Sequence, residues 1–112
     1  MKLYSSEREI DYYLRKGNPD ERINALCSME TKKENYERYL DIYITDINRK
    51  VKGNALCGAI HSNPKLIWEI IEYTFKYELH EEFFKLLLKH LLEMHKKEIS
   101  LVKKNKRDDK KV

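Results

Sequence analysis

A chain of 112 residues is long enough for one domain, which buries roughly two-thirds of the surface its unfolded chain exposes, so neither disulfides nor metals are needed to hold it. Three glycines and two prolines fall far short of the roughly ten turn signals that an all-β domain of this length needs, which excludes that class and leaves all-α. Charged residues reach 38%, yet the net charge is only +4, and the basic excess of residues 103–112 supplies all of it, so residues 1–102 are not a basic body for nucleic acid.

Cys27 and Cys57 both sit in apolar helical patterns, too few and too buried in aspect for a secreted disulfide framework. The residues after Met1 are polar, and no long apolar run follows, so the sequence predicts no signal peptide and no membrane span. Reduced thiols in a cytoplasmic or nuclear setting are the expectation.

The first helix is expected to open at Ser6, with Glu9 three residues on as a capping box, and to carry Ile10, Tyr13 and Leu14 on one face. Gly17 is expected to end it in the left-handed conformation. Asn18-Pro19-Asp20-Glu21 starts the second: a cap, a proline whose missing N–H is harmless at the first position, and two acids that suit the helix dipole. Ile23, Leu26 and Cys27 line its face. The third is predicted from a Thr31/Glu34 capping box to Gly53, with Tyr36, Tyr39, Leu40, Tyr43, Ile44, Ile47 and Val51 as one apolar stripe. A short fourth helix, capped by Asn54, carries Ala55, Leu56, Ala59 and Ile60. Asn63-Pro64 opens a fifth with Ile67, Ile70, Ile71 and Phe75. A sixth runs from about His80 to about Val102 with Phe83, Phe84, Leu87, Leu88, Leu91, Leu92 and Met94, broad enough to touch two neighbours. The fifth and sixth are close enough in sequence to form one bent helix. The organisation predicted is a single helical domain over 1–102 and a charged, disordered tail over 103–112.

Asn24-Ala25-Leu26-Cys27 recurs thirty residues later as Asn54-Ala55-Leu56-Cys57, each on a short helix followed by a longer one, a period that points to stacked helix hairpins. The stretch from Leu56 through Ala59, Asn63 and Ile67 to Ile71 resembles an ankyrin-type repeat, with Cys57 where that family has histidine, no Thr-Pro ahead of Leu56, and Asn63 at the turn glycine. Asn18-Pro19-Asp20-Glu21-Arg22 looks like the start of a HEAT-type helix pair. Either resemblance implies protein–protein binding without chemistry and carries over no functional residues. The fold expected is five to six antiparallel helices, as stacked hairpins or an irregular bundle.

Catalytic and metal patterns are weak. Cys57 and His61 are four apart and Cys27 could approach them, but a structural zinc needs a fourth ligand that is not evident, and the cysteines read as small core residues. His80-Glu81-Glu82-Phe83-Phe84 starts like a zinc-protease helix but has Phe84 where the second histidine belongs. No catalytic residue, metal or cofactor is therefore predicted. Eight tyrosines are unusual, and Tyr and Trp are enriched as interface anchors. Tyr36, Tyr39, Tyr43, Trp68, Tyr73 and Tyr77 are the candidate partner-binding residues; Tyr12, Trp68, Tyr73 and Tyr77 fall beside the core stripes, so some of these four are expected to be exposed. The leading expectation is a small adaptor or inhibitor of a protein partner. The alternative is nucleic-acid binding by the sixth helix (Lys85, Lys89, Lys96, Lys97) and the tail residues Lys103, Lys104, Lys106, Arg107, Lys110 and Lys111. Self-association through the leucine-rich sixth helix is a third.

Overall fold

A computed structural model describes the backbone of residues 3–109 and the side chains of residues 3–100. The fold is all-α: α1 (Glu7–Lys16), α2 (Pro19–Ser28), α3 (Tyr36–Thr45), α4 (Arg49–Ser62), α5 (Ile67–Lys76) and α6 (His80–Asp109), with single 3-10 turns at Lys33–Asn35 and Pro64–Leu66 and no strand among the described residues. The chain divides into two compact units, Met1–Glu78 with α1 to α5, and Leu79–Val112 with α6.

In the first unit α4 is the central element. It packs against both α3 and α2, α1 lies on α2, and α5 touches α3 and α4. The buried apolar set is Tyr4, Ile10, Ala25, Leu26, Met29, Tyr36, Tyr39, Leu40, Tyr43, Val51, Ala55, Leu56, Ala59, Ile60, Ile67 and Ile70. Small residues on α4 let its neighbours come close. An added Cβ at Gly58 would stand only 2.3 Å from Cδ1 and Cε1 of Tyr39.

Helix starts follow local chemistry. The Ser6 hydroxyl accepts the Glu9 N–H at 3.2 Å. At α2 the full capping box forms: Asn18 Oδ1 accepts the Glu21 N–H at 2.9 Å, and Glu21 Oε1 accepts the Asn18 N–H at 3.0 Å. Gly17 is not left-handed; its φ of −74° and ψ of 159° are extended. It is glycine for space, because a Cβ there would meet the Tyr13 carbonyl oxygen at 2.5 Å.

The third predicted helix is two helices. The Thr31/Glu34 box does not form, and a 3-10 turn precedes α3. The chain leaves α3 at Asp46 and re-enters at Asn48, whose side chain accepts the N–H groups of Lys50 and Val51 at 3.0 and 3.1 Å. The break is held by charge. Arg22 Nε and Nη2 donate to the two oxygens of Asp46 at 2.9 and 3.1 Å, and Arg22 Nη1 donates to the Gly17 carbonyl at 2.9 Å. Asp46 Oδ1 also accepts the Asn48 N–H at 2.9 Å. Lys52 Nζ covers the open end of α3 by donating to the carbonyls of Tyr43 and Ile44, each at 3.1 Å. Gly53 and Asn54, expected as a stop and a cap, lie inside α4. Ile47, expected in the core stripe, is 95% exposed at the turn.

Elements recur along the unit. α2 and α4 begin at Pro19 and Arg49, each capped by an asparagine, and a 3-10 turn then α3 or α5 follows, from Tyr36 and from Ile67. The buried pair Ala25 and Leu26 maps on Ala55 and Leu56, and Tyr36, Tyr39 and Tyr43 map on Ile67, Ile70 and Thr74.

α5 and α6 are separate helices. Between them Glu78 has a φ of 56°, left-handed backbone that no helix can pass through. α6 continues through 103–109, part of the stretch expected as a disordered tail, while residues 110–112 lie outside those described.

Candidate partner-binding surface

Three of the six candidate anchors are core. Tyr36, Tyr39 and Tyr43 are buried, so they offer no surface; the stripe they form is the packing face of α3. Each hydroxyl has a job inside. Tyr36 OH donates to Glu69 Oε1 at 3.0 Å, joining α3 to α5, and burial, followed by that carboxylate, pushes its pKa well above the usual phenol value. Tyr39 OH lies 3.1 Å from the Leu26 carbonyl and 3.2 Å from that of Met29, satisfying the C-terminal end of α2; burial raises its pKa, with Cys27 adding a smaller push. Thr74 Oγ1 donates to the Ile70 carbonyl at 2.8 Å, so the 2.7 Å contact between Tyr43 and Thr74 has the phenol as donor.

Of the other three candidates, Trp68 and Tyr73 are on α5 and Tyr77 is its C-cap; five residues apart at about 3.6 per turn, Trp68 and Tyr73 face different sides. The inner face of α5 is Ile67, Ile70 and Thr74. Trp68, on the outer side, is 69% exposed. Phe75, seven residues on, shares that side and is 54% exposed, correcting its place in the core stripe. Tyr77 is exposed and Tyr73 half-buried; their rings stack at 6.1 Å with planes 19° apart. The Lys76 ammonium sits 5.9 Å from the Tyr73 ring centre and 5.5 Å from that of Tyr77, within reach of weak cation–π attraction. The helix thus carries two separate aromatic pairs, Trp68 with Phe75 on one side and Tyr73 with Tyr77 beside Lys76 on another. Helical phase alone could have found Phe75, which lies seven residues, about two turns, from the candidate Trp68.

At the N-terminal end Tyr12 is exposed, in line with its place beside the core stripe, and its ring stands edge-on to Tyr13 at 5.1 Å, which in turn stacks on Tyr4 at 4.2 Å.

Cys27, Cys57 and His61 line one groove between α2 and α4, with Tyr39 and Gly58 at its floor. Cys27 is exposed and forms no disulfide, which corrects its expected place in the core. Among the described residues no three His, Cys, Asp or Glu side chains are placed to hold a metal ion.

Within the second unit, Phe84, Leu88, Leu92 and Ile99 are exposed on one side of α6. Lys85, Lys89 and Lys96 border a shallow groove there with Leu88, Leu92 and the carboxylate-bearing Glu93. The side chains of Lys103, Lys104, Lys106 and Arg107, and all of Lys110 and Lys111, lie outside the described residues. None of the described helices is long and apolar enough to cross a membrane. Comparison with protein-family models, curated proteins and solved structures gives no match to this chain.

Proposed function

We propose that this chain is a small helical-repeat module, an adaptor or inhibitor, that binds a protein partner through the outer face of α5. The observation that carries the reading is the paired exposure of Trp68 and Phe75 on one side of a helix whose other face packs into the core. Trp68 and Phe75 lie two turns apart on one side of α5, and exposed aromatic side chains of this kind are the ones enriched as interface anchors. The in-phase recurrence of capped helix, 3-10 turn and second helix supports the repeat reading.

The test starts from a pull-down in the native cell, with the partner identified by mass spectrometry and then purified. Trp68→Ala combined with Phe75→Ala is expected to weaken its binding at least tenfold, with helicity and melting temperature kept. Unchanged affinity refutes the α5 surface.

A second reading draws on the lysine-edged groove of α6: nucleic-acid phosphate contact, with steep salt dependence. Absence of a shifted band at low salt ends it. The exposed Phe84, Leu88 and Leu92 suit a symmetric dimer instead, for which light scattering is decisive.

A further inference from the structure

Ile47 is the most exposed large apolar side chain described, at 95%, and it stands in one of the most tightly held segments of the chain. Exposed apolar residues in turns usually sit on backbone that samples many conformations. Here the residues on both sides are fixed. Asp46 is gripped by both ends of the Arg22 fork and accepts the Asn48 N–H, Asn48 closes the first turn of α4, and Lys52 closes the last turn of α3. Arg22 further ties this turn to the turn at Gly17. None of these bonds uses the Ile47 side chain, which stands almost wholly in solvent. A β-branched side chain has few rotamers to lose. A rigid turn presenting it is therefore pre-organised for insertion, which is where affinity is gained.

We infer that Ile47 is a binding knob in its own right, filling a small apolar pocket on a protein partner whose rim carries carboxylates. The rim chemistry follows from the neighbours: Arg49 and Lys50 are exposed directly beside the knob, while Asp46 is neutralised by Arg22. The inference rests on the reading of this chain as a protein-binding module and adds a second contact to the α5 surface.

Its test uses the full chain carrying the photo-crosslinker p-benzoylphenylalanine at position 47, at 68, or at the exposed α3 position 41, irradiated in the native cell. A discrete adduct at 47 and none at 41 is expected. The cross-linked protein is then purified and titrated with unmodified variants. Ile47→Asp is expected to weaken binding at least tenfold with an unchanged melting temperature, because the side chain contacts no core. Arg49→Glu with Lys50→Glu is expected to slow association and blunt its salt dependence. That reversal puts acids in the first turn of α4, where the helix dipole favours them, so loss of binding is not loss of fold. An adduct at 68 alone, or equal affinity of wild type and Ile47→Asp, overturns the knob and leaves the α5 surface standing. No adduct at either position overturns both.

Discussion

Gly58→Ala tests the packing at the centre of the first unit. In an exposed helix interior this change stabilises by about 1 kcal/mol, since alanine is the better helix former. At this position the new methyl carbon would lie 2.3 Å from two carbons of the Tyr39 ring, well inside contact distance. The ring cannot swing aside freely, because its hydroxyl is held by the Leu26 and Met29 carbonyls and the residue is 2% exposed. Overpacking of this kind costs about 1–3 kcal/mol, and a loosened phenol hydrogen bond adds about 1 kcal/mol. Set against the propensity gain, the net loss is about 2 kcal/mol, or a fall in melting temperature of roughly 10 °C for a unit of this size. Urea and thermal unfolding followed by circular dichroism at the helix band measure it. The sign is diagnostic, because propensity alone predicts stabilisation. Tyr39→Leu removes the ring, and in that background Gly58→Ala should become neutral or mildly stabilising, a coupling of about 2 kcal/mol between the sites. A stabilised single variant, or additivity in the pair, refutes the packing argument.

Arg22→Met leaves Asp46 partly buried without its partner and should cost about 2–3 kcal/mol, measured by urea unfolding; Asp46→Asn, which keeps one acceptor for the Asn48 N–H, should cost less. Tyr36 and Tyr39 both have raised folded-state pKa values, so their contribution is complete below the ordinary phenol pKa of about 10 and is lost as pH rises above it. Stability should therefore fall on the alkaline side of about pH 10, and Tyr36→Phe should flatten that limb, as a pH series of melting temperatures will show. Glu78→Gly relieves a left-handed backbone and should raise stability by about 0.5–1 kcal/mol in the same unfolding assay; a loss there contradicts the positive φ.

The helices were legible in the sequence mainly where caps and periodicity agreed. Asn18-Pro19 fixed the start of α2, and Ser6 that of α1. The break between α3 and α4 was not, because Ile47 and Val51 continue the phase of Tyr36 to Ile44 across it, and periodicity sees only phase. The missing signal lay in the internal repeat: Asn48 precedes Asn54 by the same interval as Asn18 precedes Asn24, so the second copy carried its own cap. What overruled the periodic pattern was Arg22 reaching Asp46, a long-range pair that local reading does not weigh. The candidate surface was half legible. Spacing put all the tyrosines of α3 on one face but did not say that face was inward, since a tyrosine stripe suits a core once each hydroxyl finds a partner, as Glu69, Thr74 and the α2 carbonyls provide. On α5 the narrower inner stripe of isoleucines left the aromatics outside, and there the reading of Trp68 and Tyr77 agrees with their observed exposure.

Arginine side chains also bear on how this molecule opens. A helix that packs chiefly on one neighbour, as α1 does on α2, tends to open first. Here Arg38 on α3 reaches back to Glu7 and Asp11 on α1, and Arg22 joins the first turn to the third. The terminal helix is thereby stapled to the interior by its own side chains. Native-state amide exchange should consequently find α1 less protected than α3, with α1 opening more readily still when Arg38 is replaced.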